Sequence, residues 1–120
     1  MKVIVITGSR KYTDPKPIQT ALKQAAGDFL ITGDARGADM IAYREAGTLG
    51  MGRIAAHAQW DDFGSSAGPL RNGDMVALAK LLRDQGATVE CFAFPLYGSV
   101  GTRHCTRALV AAGFDVEVVE

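Results

Sequence analysis

The sequence predicts an α/β three-layer sandwich, a five-stranded and mostly parallel sheet with helices on both faces. Two patterns carry that expectation. Short apolar runs alternate with longer stretches of helical period, which is the signature of β-α-β units joined by right-handed crossovers. The first run, residues 3–7 (VIVIT), is apolar and β-branched throughout, as a strand covered on both faces must be.

The elements follow in order. Residues 3–7 are the first strand. After Tyr12-Thr13-Asp14-Pro15, the residues Ile18, Leu22, Ala25 and Ala26 recur at helical spacing. Asp14 stands where an N-cap belongs and Pro15 at the first helical position. Residues 29–32 are a second short strand. Ala38, Ile41, Ala42, Ala46 and Leu49 make one face of a second helix, which Gly50 stops. Residues 53–58 read as a weaker third strand. Residues 72–85 carry the clearest helix, packing Met75, Val76, Leu78, Ala79 and Leu82 ahead of Gly86. Residues 88–94 are the fourth strand. Residues 102–112 are the last helix, with Cys105, Ala108, Leu109 and Ala112 inward. Residues 115–119 alternate polar and apolar, as an edge strand does.

A chain of 120 residues suits one compact domain, residues 1–120, and 48% hydrophobic residues supply its core. Thirteen basic residues offset thirteen acidic ones, which argues against nucleic acid or an anionic membrane as partner. No apolar run approaches the ~20 residues of a bilayer span. Residues 1–7 break into Gly8-Ser9-Arg10 without a cleavage site, and read as a strand rather than a signal peptide. Cys91 and Cys105 have neither a disulfide-framework nor a metal-ligand spacing. The expectation is a reduced, cytoplasmic domain with no metal and no cofactor.

In an open parallel sheet, ligands bind beyond the carboxyl ends of the strands. Fourteen glycines exceed the usual ~7% share, and many fall after strands. Strand one is followed by Gly8-Ser9-Arg10 and strand two by Gly33-Asp34-Ala35-Arg36-Gly37-Ala38-Asp39. Strand three leads into Trp60 and then Gly64-Ser65-Ser66-Ala67-Gly68-Pro69-Leu70-Arg71-Asn72. Strand four is followed by Pro95-Leu96-Tyr97-Gly98-Ser99-Val100-Gly101-Thr102. The connections at the other sheet edge carry far less Ser and Arg.

Each loop has a physical use. Gly8 and Ser9 let backbone approach a ligand, with amides and a hydroxyl for phosphate oxygens. Arg10 offers a bidentate donor. Gly33 and Gly37 relieve crowding ahead of a helix N-terminus, which attracts anions. Asp34 and Asp39 accept from ribose hydroxyls or base amino groups, and Asp39 equally suits the helix dipole. Gly98, Ser99, Gly101 and Thr102 open the last helix as a phosphate cradle, and Arg71-Asn72 sit where the third long helix begins. Trp60 reads first as a packing residue or lid, and as a stacking surface only secondarily. His57 and His104 read as structural or solvent-facing. Cys105, beside His104 near a helix start, is either a thiol of lowered pKa or a small buried residue, and its place on the apolar stripe favours the second.

Two common signatures are absent: Gly-x-Gly-x-x-Gly after strand one and a Gly-Lys-Ser/Thr loop. Neither a standard NAD(P) enzyme nor a P-loop NTPase is supported.

Thr7-Gly8-Ser9-Arg10, Gly33-Asp34-Ala35-Arg36-Gly37-Ala38-Asp39, Trp60 with Ala67-Gly68-Pro69-Leu70-Arg71-Asn72, and Ala93-Phe94-Pro95 with Gly101-Thr102 together resemble the YspA/YpsA-related branch of the SLOG superfamily. That superfamily also holds the LOG phosphoribohydrolases and DNA-processing Rossmannoid domains. The resemblance covers essentially the whole chain in order. It implies a Rossmann-like domain of strand order 3-2-1-4-5 that binds a nucleotide or nucleotide-derived ligand. By resemblance, Gly8, Ser9, Arg10, Gly33, Arg36, Gly37, Asp39, Arg71, Asn72, Gly98, Gly101 and Thr102 carry the site.

The chain departs from those relatives in two places. Their Pro-Gly-Gly-x-Gly-Thr is here two residues longer, with Ser99 in a glycine slot and Tyr97 free to stack on a base or gate the pocket. The catalytic Glu of the phosphoribohydrolases falls at Cys105, which removes the obvious acid or base for glycosidic cleavage. The primary reading is a binding or sensor domain for a phosphate-plus-ribose ligand, with ADP-ribose as one example of the type. A nucleotide hydrolase using Asp34, Asp39 or Glu45 is the alternative, and a protein-interaction module the third. A homodimer is compatible with the sequence, although no apolar seam marks one.

Overall fold

The computed structural model describes residues 1–97 and 99–120; Gly98, assigned above to the phosphate cradle, lies outside the described residues. The chain runs β1 (Lys2–Gly8), α1 (Pro15–Ala25), β2 (Phe29–Gly33), α2 (Ala38–Thr48), β3 (Gly52–Ala56), the single-turn α3 (Trp60–Phe63), a 3₁₀ turn (Gly64–Ser66), α4 (Ala67–Asp84), β4 (Thr88–Phe94), α5 (Val100–Ala111) and β5 (Val116–Val118). The five strands form one sheet of order β3-β2-β1-β4-β5. Each pairing is parallel, so the sheet is wholly rather than mostly parallel among the described residues.

β1 lies at the centre, and alternation along it divides the core. Ile4 and Ile6 face Ile18 and Leu22 of α1 and Ala38, Ala42 and Ala46 of α2. Val3 and Val5 face Met75, Val76 and Ala79 of α4 and Cys105 and Leu109 of α5. These β1 residues are fully buried. An unbroken apolar strand is therefore sandwiched between two helical layers, as the run VIVIT requires. No helix among the described residues is long and apolar enough to cross a membrane.

Asp14 caps α1 as expected, its carboxylate accepting from the Lys16 amide at 3.0 Å with Pro15 at the first turn. Four expectations need correction. Ala26 is not on the inward face of α1; it is exposed and closes the helix in the left-handed region with φ 50°. Leu49 lies past the end of α2 and is exposed. The third strand is Gly52–Ala56, so His57 and Ala58 fall in the connection after it. The largest change is α4, which starts at Ala67 rather than at residue 72. Gly68 and Pro69 suggest a loop, but in a first turn the proline's missing N–H removes nothing the helix needs.

Candidate functional site

The strand order places the reversal of winding between β1 and β4, and a crevice opens there beyond their carboxyl ends. β1 ends at Gly8, where a Cβ would collide with Ala38 of α2 and approach the Phe94 carbonyl oxygen to 2.8 Å. Glycine here lets α2 dock directly on the strand end. Ser9 then ties three elements together. Its amide donates to Phe94 O at 3.0 Å, and its carbonyl accepts from Ala38 N at 3.0 Å and Tyr12 N at 3.2 Å. Its Oγ accepts from Lys11 N at 3.1 Å. Gly37 precedes α2 with φ +83°, and a Cβ there would run into the Ser9 and Arg10 backbone. The glycines at 8 and 37 thus serve the packing of one loop on the other.

Behind this crevice lies a continuous polar line. Arg71 is buried to 8% exposure in the second turn of α4. Its Nη1 donates to Asp34 Oδ1 at 2.9 Å and its Nε to Asn72 Oδ1 at 2.9 Å. Asp34 Oδ2 meets His57 Nδ1 at 2.9 Å. Asn72 Nδ2 reaches His104 Nδ1 at 3.2 Å and Gly101 O at 3.5 Å. The Asn72 amide is fixed by its neighbours, because flipping it would face two donors at Arg71 and two acceptors at Gly101. His104 Nδ1 therefore accepts, and the ring proton of its neutral form sits on Nε2. Among the described residues Arg71 Nη2 has no hydrogen-bond partner, and no polar side-chain atom is sealed away without one. Its remaining donors open on the crevice.

Asp39 forms the floor beside Arg71, at 5% exposure. It accepts from Ala35 N at 3.2 Å and lies 3.2 Å from Thr32 Oγ1. Burial raises its carboxyl, Arg71, the Ala35 amide and Thr32 pull it back, and Asp34 adds to the rise, for a net value of about 6. Gly33 makes this arrangement fit: a Cβ there would stand 2.6 Å from Asp39 Oδ2 and 2.8 Å from Arg71 Nη1.

The far wall is the start of α5. Ser99 precedes it without capping it through its side chain, and its hydroxyl instead meets Thr102 Oγ1 at 2.6 Å. The first-turn amides of Val100, Gly101 and Thr102 have no partner within the helix, and they carry its positive dipole end. A Cβ on Gly101 would touch nothing within 4 Å. Across the cleft, the Arg10 guanidinium lies 5.3 Å from the Trp60 ring centroid. The cleft holds about 460 Å³, enough for a small ligand.

Most of the expected residues meet here. Gly8, Ser9, Arg10 and Asp39 line one side, Trp60, Arg71 and Asn72 another, and Tyr97, Ser99, Gly101 and Thr102 the third. Gly33, Asp34 and Gly37 stand behind the lining as supports, and Arg36 is exposed outside it. Arg71 and Asn72 do not open a helix as expected, since their helix starts four residues before Arg71. Lys11 and His104 also line the cleft, and neither was singled out for it. His104 could have been found from helical spacing, because it sits three residues after Gly101 on the same face. Cys105 is fully buried and burial pushes its thiol up to about 11, so it is a packing residue and not an activated thiol. Glu45 is not among the cleft residues.

Two other hollows are larger. One, of about 580 Å³, lies at the opposite sheet edge among Arg83, Glu90, Gly113 and Asp115. The other, of about 530 Å³, flanks α5 with Leu96, Arg107 and Val118. Volume does not decide between them and the cleft. Of the three, only the cleft gathers the connections after β1, β3 and β4 around a buried guanidinium.

No known family profile matches the chain. It is 40% identical to the Gene 61 protein of Mycobacterium phage D29 over 128 aligned positions, covering 97% of this chain and 94% of that protein. Its fold is similar to that of DNA processing protein A (DprA) from Streptococcus pneumoniae, with a TM-score of 0.58 and 16% identity. That match covers 99% of this chain, which spans 58% of the DprA chain. At this identity the likeness shows a shared Rossmann-like fold.

Proposed function

The chain belongs to the family of the Gene 61 protein of Mycobacterium phage D29, and from that premise we propose that it binds a nucleotide or nucleotide-derived ligand in the switch-point cleft, as a binding or sensor domain. The family name carries no chemistry, so the reading rests on the site. One observation carries it: the uncapped first turn of α5 and the buried Arg71, with donors to spare, line the same cleft. Helix amides and a planar guanidinium both suit a phosphate. Asp39, whose carboxyl borders the same space, suits a ribose hydroxyl. The DprA-like fold supports a place in the SLOG superfamily, and the order of the loop motifs supports its YspA/YpsA-related branch.

Hydrolysis finds weaker support. Asp34 is neutralised by Arg71, both Asp39 oxygens are engaged, and Glu45 lies outside the cleft. Among the described residues lining the cleft Asp39 is the one carboxylate, so the paired acid and base of a glycosidic cleavage are not both at hand.

The test is a thermal-shift panel of nucleoside phosphates, NAD and ADP-ribose on the wild type and on Gly101→Val, with mass analysis of each ligand after incubation. The added side chain meets open space in the fold but narrows the cleft. A ligand at ~100 times its dissociation constant stabilises the wild type by about 2.7 kcal/mol. The variant melts like the wild type alone, loses that shift, and the ligand is recovered intact. A shift retained in Gly101→Val, or no shift with any compound, overturns the reading, and a cleaved ligand makes the protein a hydrolase.

A further inference from the structure

Trp60 and Arg10 make a contact that the phosphate-binding reading does not use. Trp60 is the sole tryptophan of the chain and is 45% exposed, although it lines the cleft. Its ring edge rests on the first turn of α4, where a Cβ on Gly68 would stand 3.2 Å from Cη2. Glycine at 68 therefore lets the indole lie against the helix. Arg10 lines the same cleft and lies over the Trp60 ring, 5.3 Å from its centroid. Among the described residues, the Arg10 guanidinium enters no ion pair. Its one partner is an aromatic ring, in a cleft otherwise suited to an anion.

Resting on the nucleotide-binding reading, we propose that Trp60 is the base-stacking platform of the cleft and that Arg10 occupies it until a phosphate draws the guanidinium away. A half-exposed cation–π pair is a weak contact. A charge-assisted hydrogen bond from guanidinium to phosphate is a stronger one, so a phosphorylated ligand can displace Arg10. The indole face thus vacated is flat, rigid and apolar, and it takes a planar aromatic ring of any base identity. The ligand class is therefore a nucleotide carrying its base rather than a bare sugar phosphate.

Trp60 emission reports both steps. Wild type and Arg10→Ala are titrated with AMP, GMP, ribose 5-phosphate and adenosine, and stabilisation is followed in parallel. Ribose 5-phosphate moves wild-type emission to the level of Arg10→Ala, because it removes the guanidinium and adds no base. AMP and GMP quench below that level. In Arg10→Ala, AMP binds about tenfold more weakly, while adenosine quenches at a lower concentration than in the wild type because its competitor for the ring is gone. AMP that stabilises the protein without quenching Trp60 overturns the stacking assignment and leaves nucleotide binding standing. Adenosine that gains nothing in Arg10→Ala overturns the exchange. If none of the four compounds stabilises the wild type, both readings fall together.

Discussion

Thr32 has one hydroxyl proton and two acceptors within reach, Ile6 O at 3.0 Å and Asp39 Oδ1 at 3.2 Å. Ionised Asp39 competes with Ile6 O for that proton, whereas protonated Asp39 donates to Thr32 and leaves the hydroxyl proton to Ile6 O. That hydrogen-bond pattern agrees with the direction in which burial pushes the Asp39 carboxyl, from 3.8 to about 6. Between those values the folded chain holds a proton that the unfolded chain has released. The stability that Asp39 contributes is therefore fully present below about pH 4 and is lost as pH rises through about 6, a decline on the order of 2–3 kcal/mol. Asp39→Asn reproduces the protonated pattern, with its amide donating to Thr32 and its oxygen accepting from Ala35. Urea unfolding at pH 4, 5, 6 and 7 is expected to show a decline in the wild type that is much reduced in the variant. Equal slopes would contradict the assignment. Sequence reasoning found Asp39 and Asp34 by residue type and position. It could not see that Asp34 neutralises an arginine 37 residues away, since that pairing exists only once α4 packs on β2. Nor did it see why residue 33 is glycine, because the Asp39 and Arg71 side chains that would crowd a Cβ come from different elements.

Elements were legible in proportion to the strength of their local signal. β4 matches its expected bounds, and β1 and β2 extend theirs by one residue at one end or both, because short apolar runs rich in β-branched or aromatic residues favour the extended conformation. The start of α1 was equally legible, since Asp14 and Pro15 act locally. Asp14→Ala removes the bond to the Lys16 amide, and a loss of about 1 kcal/mol is expected. A urea midpoint unchanged from the wild type would show that the cap contributes nothing. The segment from Trp60 to Ala67 was the least legible. A four-residue helix shows no period, and Gly64, Gly68 and Pro69 all signal a loop. The structure instead winds these residues into a stepped helical entry. That entry carries Trp60 to the cleft and puts Arg71 and Asn72 in the second turn of α4, where their side chains point back under the βα loops.

The whole molecule makes a site through topology. The order β3-β2-β1-β4-β5 sends the chain outward in both directions from β1, so the loops after β1 and β4 part and leave a crevice. Zero formal net charge conceals a local excess there, since Arg10, Lys11 and Arg71 line the cleft with Asp39 as its acidic member. Sequence composition reports the sum, and only folding reports the distribution. Two larger hollows compete with this cleft, so where the ligand sits decides between them. The most direct measurement is an assigned ¹H–¹⁵N correlation spectrum recorded during a titration with AMP. Shifts confined to Gly8, Ser9, Arg10, Gly68, Arg71 and Gly101, with the Trp60 indole N–H, are the expected result. Shifts centred on Leu96, Arg107 and Val118, or on Arg83, Gly113 and Asp115, with the cleft residues unmoved, would contradict the account.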